Sequence, residues 1–335
     1  MHNGSLRPPI IPAAFFGIVL GLAGLGSAWR AAHQAWQLPA LVGEVLMALA
    51  AMVWALLLVL FILKWILTWE EALSEAHHPI QCCFIGLAGV ATMLIALGAL
   101  PYSRLAAQIL FCIGAAFTVA FATWRTGLLW RGEREHNATT PVLYLPTVAG
   151  GFVMATVASA LGYSDWGQLA FGAALFSWLA IESVLLHRLY TVATMPPALR
   201  PTLGIQLAPP TVGAVAYLSV NGGTPDLVAH ALVGYGLMQA ALLLGMLPWV
   251  MQHPFTPSYW GFTFGISALA IAPLRMVGNG ATGAIAFLAP YLFIAANVAI
   301  GLIALGTLRL IAQRRLLVQP AAPHVPSDAA ARPAA

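Results

Sequence analysis

Ten long apolar segments follow one another along the chain, separated by short polar links. They lie at about residues 10–30, 40–66, 79–100, 103–125, 142–162, 165–187, 202–220, 228–250, 257–277 and 284–311. A helix of about 20 mainly apolar residues is long enough to cross the hydrocarbon core of a bilayer. The pattern therefore predicts an all-α polytopic membrane protein with ten transmembrane helices.

The links between the segments alternate in length. Short links, such as residues 100–103 and 163–165, predict that successive helices pair as five helical hairpins. One transmembrane domain, residues 10–318, is expected after a short N-terminal segment, residues 1–9. The last residues, 319–335, contain four prolines among alanines, a composition typical of a disordered tail.

The basic residues are distributed unevenly between the two predicted faces of the membrane domain. Three of them, Arg30, Arg104 and Arg275, fall on one face. The other eleven fall on the opposite face: Arg7, Lys64, Arg125, Arg131, Arg134, Arg188, Arg200, Arg309, Arg314, Arg315 and Arg332. Basic residues are enriched in cytoplasmic loops, so both termini are predicted to be cytoplasmic.

Glycine and proline recur in the odd-numbered segments. Each odd segment has a glycine in a similar context and a proline in or near its first half: Gly17 and Pro12, Gly86 and Pro79, Gly150 and Pro146, Gly213 and Pro209, Gly265 and Pro257. Pro146 and Pro209 are interior to their segments and predict kinks. The alternation favours an inner ring of five kinked helices around a central pore. An alternative is that glycine and proline only ease helix packing.

The composition supports a membrane protein and argues against other classes. Hydrophobic residues make up 61% of the chain and charged residues 7%, against roughly 25% charged residues in soluble domains. The net charge is +4, but the basic residues include a single lysine, Lys64, and form no dense run, so nucleic acid is not an expected partner. Cys82, Cys83 and Cys112 lie in apolar segments and are expected to be small core residues.

Few residues are candidates for catalysis or metal binding. The chain has no HExxH, CxxC, GxSxG or phosphate-loop motif, and we expect no enzyme and no cofactor. His77 and His78 adjoin Pro79 in a polar link, and a metal site there is conceivable. Adjacent histidines in a loop are more often solvated, so no metal site is predicted.

Two carboxylates, Glu182 and Glu44, lie inside predicted spans, where ionisable groups are candidates for function. Both are on even segments and near a helix end, where they can find a partner. The odd segments have no ionisable residue at mid-depth, which argues against obligatory proton coupling. A pore lined by small and aromatic residues, without a ring of carboxylates, favours weakly selective passage of anions.

Four motifs resemble a known family, in the same order along the chain. They are FFGIVLGLAGLGSAWR, TTPVLYLPTVAGGF, RPTLGIQLAPPTVG followed by YLSVNGG, and YWGFTFGISALA. The chain resembles the tellurite-resistance and dicarboxylate transporter family, which also includes the plant guard-cell slow anion channels, from about residue 12 to residue 318. The resemblance implies five hairpins in a quasi-fivefold ring, with odd helices lining the pore, and assembly as a homotrimer.

The resemblance also implies roles for individual residues. The family gate is a phenylalanine whose ring plugs the pore, and in Trp260-Gly261-Phe262-Thr263-Phe264-Gly265 it matches Phe264. Secondary candidates are Phe262, Gly213 and Glu182. The pore-lining and kink positions implied are Gly17, Pro146, Pro209 and Gly265.

Two functions are consistent with these observations. The favoured one is a gated channel that conducts small monovalent anions through a pore plugged by phenylalanine, associated with tellurite resistance, in the inner membrane of a bacterium. The alternative is a secondary transporter or exporter of C4-dicarboxylates or toxic oxyanions, with proton coupling as an option. The partners expected are small inorganic anions and the lipid bilayer.

Overall fold

The computed structural model of the protein describes residues 9–132 and 138–317, and its regular structure there is helical. Ten helices are long and apolar enough to cross a membrane, which confirms the predicted fold class. They are α1 (Ala13–Trp36), α2 (Ala40–Leu67), α3 (Gln81–Ala99), α4 (Arg104–Leu129), α5 (Pro141–Ala160), α6 (Ser164–Thr191), α7 (Pro197–Val220), α8 (Leu227–Val250), α9 (Pro257–Gly278) and α10 (Ala284–Ala312). The polar link after α2 forms a further short helix, Trp69–His77, called the linker helix below.

Each odd helix begins with a 3₁₀ segment, and a proline lies at or just before its start. These segments are Ala13–Phe15, Gln81–Gly86, Pro141–Leu143, Pro197–Leu207 and Pro257–Phe262. The two interior prolines lie where the winding changes: Pro146 is in a π turn, Leu145–Ala149, and Pro209 is the second residue of the α-helical part of α7. Proline lacks an N–H donor, so irregular turns accommodate it at little cost.

The ten helices form two concentric rings. In the most apolar stretch of each odd helix, 67–83% of residues are buried within the protein, against 22–33% in the even helices. Each odd helix packs against two other odd helices, and these contacts close a ring in the order α1, α3, α5, α7, α9 and back to α1. Each even helix packs outside, against its hairpin partner and the next odd helix. The five hairpins are therefore arranged so that their odd helices form a closed inner ring.

Close helix contacts occur where side chains are absent. A Cβ atom on Gly21 would lie 2.4 Å from Thr263 Oγ1, and one on Gly24 would lie 2.1 Å from Ser267 Oγ, both across the contact of α1 with α9. In the α3–α4 hairpin, a Cβ atom on Gly114 would lie 2.8 Å from the carbonyl oxygen of Gly89. Small residues allow such approaches in membrane helices, so these glycines set the spacing of the rings.

Eight of the basic residues in the described part of the chain lie at the face where the odd helices begin, which we call the basic face. Arg30, Arg104 and Arg275 lie at the other face, called the opposite face. Arg7, Arg134 and Arg332 lie outside the described residues, as do residues 1–8 and the predicted tail, 319–335. The basic face is the predicted cytoplasmic face.

The opposite face contains an ion pair between two helices of one hairpin. Arg30 Nε donates to Glu44 Oε1 at 2.8 Å, and Arg30 Nη2 donates to Glu44 Oε2 at 2.6 Å. Tyr102, in the α3–α4 loop, donates its hydroxyl to the same carboxylate at 2.5 Å. That hydrogen bond raises the pKa of the Tyr102 phenol above its ordinary value. Glu44 therefore has the partner that its position near a helix end led us to expect.

The start of α1 is held by a buried ion pair at the basic face. Lys64 pairs with Glu75 of the linker helix, and the two residues are 4% and 8% exposed. Lys64 Nζ also donates to the carbonyl oxygen of Ile11 at 2.8 Å, and the amide of Ala13 donates to Glu75 Oε1 at 2.8 Å. The pair thus joins three elements, α1, α2 and the linker helix.

Replacing Gly114 by alanine should weaken the α3–α4 hairpin, because the added methyl group meets backbone atoms of the facing helix. Overpacking of this kind costs about 1–3 kcal/mol, which should lower the apparent melting temperature of the purified protein, followed by tryptophan fluorescence. The matched control is Gly127→Ala in the same helix, where no atom lies within 4 Å of the new Cβ. Equal melting temperatures for the two variants would show that the close approach is unimportant.

Replacing Lys64 by methionine should destabilise the protein by about 3–5 kcal/mol, because it leaves the buried Glu75 carboxylate without its cation. The double variant Lys64→Met, Glu75→Leu removes both charges and should recover most of that loss. Thermal unfolding in detergent, measured for both variants, checks the expectation. A double variant that is no more stable than Lys64→Met would contradict it.

Candidate functional site

A large cavity of about 910 Å³ lies inside the ring, at the end where the odd helices begin. All five odd helices line it, together with the linker helix and the segment just before α9. Its lining is mostly apolar, and its polar members are near the basic face. The residues of the odd helices that line the cavity include Ala14, Gly17, Phe84, Leu145, Thr202, Pro209 and Gly261.

A smaller cavity of about 320 Å³ lies at the other end of the same ring. It is lined by the final turns of α1, α5, α7 and α9 and by the loops that follow α7 and α9. Several of its lining side chains are polar: Gln34, Thr156, Ser159, Ser219, Arg275 and Asn279. The described linings of the two cavities share no residue.

A layer of apolar side chains ends the large cavity, one from each odd helix. These are the lining residues farthest along α1, α3, α5, α7 and α9, and we call them the apolar girdle: Leu20, Leu87, Phe152, Val212 and Phe264. Each of the five is at most 9% exposed. The residues that line the small cavity come later in four of these helices, α1, α5, α7 and α9, and in the loops after α7 and α9. The girdle therefore lies between the two cavities.

Phe264 is the girdle residue of α9, and it is 9% exposed. Its ring lies beside α1 at a position without a side chain, since a Cβ atom on Gly24 would be 3.9 Å from Phe264 Cδ2. Phe264 is the second residue of the α-helical part of α9, directly after the 3₁₀ segment, and Ser267 donates its hydroxyl to the Phe264 carbonyl oxygen at 2.9 Å. The structure thus places Phe264 in the cavity wall, at the depth of the girdle.

Phe262, two residues earlier, lies in a different environment. It packs on Gly204 of α7, where an added Cβ would be 2.3 Å from its ring, and its ring stacks with Tyr259. It does not line either cavity. The two rings therefore point in different directions around α9. Phe264 lines the large cavity, whereas Phe262 packs between α7 and α9.

The other sequence candidates divide into lining and supporting positions. Gly17 and Pro209 line the large cavity, whereas Pro146 does not. An added Cβ on Gly265 would be 2.9 Å from the amide nitrogen of Ala208, so Gly265 allows α9 to approach α7. One on Gly213 would be 3.1 Å from Phe152 Cζ, so Gly213 makes room for a girdle ring.

Glu182 lies outside the ring lumen, at the centre of a buried group of hydrogen-bond donors. Its carboxylate accepts hydrogen bonds from five side chains of α5, α6, α7 and α8: Tyr144, Trp178, Gln206, Tyr235 and Gln239. Tyr144 also lines the large cavity, so it separates Glu182 from the lumen. The sequence singled out Glu182, but not the tyrosines and glutamines around it.

The charges of the large cavity lie near its mouth. Lys64 and Glu75 line it as a pair, and the exposed Glu71 is a further member of the wall. In residues 9–132 and 138–317, no group of three or more His, Cys, Asp and Glu side chains is placed to hold a metal ion. His78 Nδ1 instead accepts the amides of Ile80 and Gln81, at 3.1 and 3.2 Å.

Four of the five girdle residues were not identified from the sequence: Leu20, Leu87, Phe152 and Val212. They are ordinary apolar residues in apolar segments, so composition does not set them apart. A positional signal was available for two of them. Leu20 lies three residues after Gly17, and Val212 lies three residues after Pro209, so each is close to one helical turn beyond a predicted lining position. Leu87 and Phe152 carry no such signal.

Comparison with known proteins agrees with this architecture. A family model described as SLAC1, voltage-dependent anion channel, matches residues 11–308. The chain is 35% identical over 310 residues to the tellurite resistance protein TehA homolog of Haemophilus influenzae, covering 92% of this chain and 93% of that protein.

Plant relatives are more distant. The S-type anion channel SLAH3 of Arabidopsis thaliana is 23% identical over 277 residues, and the guard cell S-type anion channel SLAC1 of the same plant is 22% identical over 275 residues. Each alignment covers 79% of this chain, but only 42% and 49% of the plant proteins. The extent of the family match and the bacterial relative agree with the resemblance seen in the four motifs. The chain is a multi-pass membrane protein that belongs to the SLAC1 family of voltage-dependent anion channels.

Proposed function

We propose that the protein is a gated anion channel whose pore is the lumen of the inner ring. The observation that carries the proposal is the arrangement of two cavities at opposite ends of one closed ring, separated by the apolar girdle. Four of the five helices that line the large cavity, α1, α5, α7 and α9, also line the small one, so displacement of the girdle side chains joins the two cavities into one path.

Phe264 is the proposed gate. An apolar ring across a narrow lumen leaves no path for water, and a hydrated ion is blocked at such a constriction. On the α1 side the ring faces Gly24, which has no side chain to hold the ring in place. Gly17 keeps the lumen wide on the basic side of the gate, and the irregular turns at Pro146 and Pro209 shape the helices around it.

The charges of the pathway favour small monovalent anions over cations. The described lining at the girdle contains no carboxylate. Of the buried carboxylates near the lumen, Glu182 lies behind Tyr144, and Glu75 is paired with Lys64. Without a ring of carboxylates to concentrate cations, permeation follows the ease of anion dehydration. The association of the Haemophilus relative's name with tellurite resistance extends to this chain as part of the proposal.

The proposal also covers the orientation of the channel, its membrane and its oligomeric state. The basic face is cytoplasmic, as the excess of basic residues favours, and the membrane is the bacterial inner membrane. The protein is a homotrimer in which each chain has its own pore. Large apolar side chains exposed on the even helices, such as Leu56, Phe176 and Leu302, are available to lipid and to neighbouring chains.

A secondary transporter of dicarboxylates or oxyanions is the second candidate. The observation in its favour is the buried Glu182 carboxylate, which reaches the cavity wall through Tyr144. A transporter that depends on Glu182 should show saturable uptake, driven by a proton gradient and lost in Glu182→Gln. Liposomes containing the purified protein, loaded with a pH gradient and supplied with labelled succinate, separate this candidate from a channel.

Replacing Phe264 by alanine should open the pore. Each step of about 1.4 kcal/mol removed from the permeation barrier raises the current about tenfold, and we expect at least one such step when the girdle ring is removed. The measurement is current in voltage-clamped bilayers under asymmetric chloride, where the reversal potential should follow chloride.

The matched control is Phe262→Ala, which truncates a ring of the same size two residues away, between α7 and α9. It should reduce stability by about 3–5 kcal/mol and leave the current at the wild-type level. Equal currents from the two variants, or a Phe264→Ala current that follows the cation gradient, would refute the proposed gate.

A further inference from the structure

Arg275 brings a positive charge into the small cavity. It lies on α9, eleven residues after Phe264, or about 16 Å along the helix axis toward the opposite face. Its Nη1 donates to Ser219 Oγ at 2.8 Å and to the carbonyl oxygen of Val215 at 3.3 Å. These two bonds hold the guanidinium against α7, in the cavity wall.

In the described part of the chain, no carboxylate neutralises this charge. The ion pairs of arginine and lysine with carboxylates there are Arg30 with Glu44 and Lys64 with Glu75. The described lining of the small cavity includes no Asp or Glu. A charge that is half-buried and unpaired attracts an anion.

The geometry of the guanidinium indicates which kind of anion it can take. Both of its hydrogen bonds use Nη1, so Nε and Nη2 donate to no protein atom of the described chain. Nε and Nη2 form one edge of the guanidinium, which matches two oxygens of a planar oxyanion. Arg30 shows this match within the same protein, because its Nε and Nη2 hold the two oxygens of Glu44.

The remaining lining adds polar groups around this edge. Asn279 and Ser219 lie on the same side of the cavity as Arg275, and Gln34 and Thr156 are contributed by α1 and α5. Asn279 Nδ2 donates to the carbonyl oxygen of Arg275, which ties the loop after α9 to the helix that bears the guanidinium. The cavity volume, about 320 Å³, is ample for a small inorganic anion.

We propose that Arg275 forms an anion-binding site in the small cavity, selective for planar monovalent oxyanions such as nitrate over chloride. The site captures an anion at the opposite face and supplies it to the girdle. The role of the site in permeation rests on the proposed channel function, whereas the binding of an anion at Arg275 does not depend on it.

The conduction experiment uses Phe264→Ala as the background, in planar bilayers with nitrate or chloride added on the side of the opposite face. Adding Arg275→Gln should raise the half-saturating nitrate concentration at least about tenfold, because the two charge-assisted hydrogen bonds from Nε and Nη2 are lost. Arg275→Lys retains the charge without the planar edge, so it should keep chloride current and lower the ratio of nitrate to chloride current.

Arg104→Gln is the matched control. Arg104 lies at the same face and donates to the carbonyl oxygen of Leu161 at 2.7 Å, but it does not line the small cavity. Its loss removes the same unit of charge from the same face. Half-saturation that shifts equally in Arg275→Gln and Arg104→Gln would overturn the site, because only the general surface potential would then matter.

A binding experiment tests the site independently of conduction. Isothermal titration of sodium nitrate into the purified wild-type protein should show saturable binding, and titration into Arg275→Lys should show weaker binding. Current through Phe264→Ala without saturable nitrate binding to the wild-type protein would overturn the site and leave the channel. Nitrate binding without current in Phe264→Ala would support the site and overturn the channel.

Discussion

Glycines lie at contacts between helices of the inner ring, and the rest of the structure depends on the close approach that they allow. Lipid tails provide no hydrophobic drive for helices to associate, so packing of small residues has to hold them together. At Gly21 and Gly24 the first helix rests on hydroxyl groups of the ninth, and at Gly265 the ninth rests on the backbone of the seventh. These contacts help to close five helices into a ring, and only a closed ring has a lumen.

The lumen is divided because each odd helix contributes one buried apolar side chain at the inner end of the large cavity. Mostly apolar residues line a cavity nearer the basic face, and several polar residues nearer the opposite face line another. Leu20, Leu87, Phe152, Val212 and Phe264 lie between them. In the proposed channel, an apolar layer of this kind excludes water, so it would block ions without any charged group at the constriction.

Charged groups are kept away from that barrier, each in a different way. Lys64 and Glu75 neutralise each other at the basic end, and Glu182 accepts hydrogen bonds behind the wall formed by Tyr144. Arg275 differs, because its guanidinium lies in the small cavity, whose described lining has no carboxylate. The resulting asymmetry places an unpaired positive charge on the opposite side of the barrier from the neutral pair.

The sequence by itself determined ten apolar helices and their hairpins, because segment length and link length are local properties. It also suggested an alternation of inner and outer helices, but it left open the alternative that glycine and proline only ease helix packing. The family motif also singled out Phe264 as the gate. Nothing in the residue pattern itself, however, distinguished Phe264 from Phe262. Only the tertiary structure decided that Phe262 packs on Gly204, that Glu182 lies outside the lumen, and that four common apolar residues complete the girdle. The reason is that lining a lumen depends on the rotation of each helix and on its neighbours around the ring, and neither is recorded in the apolar pattern of a single segment.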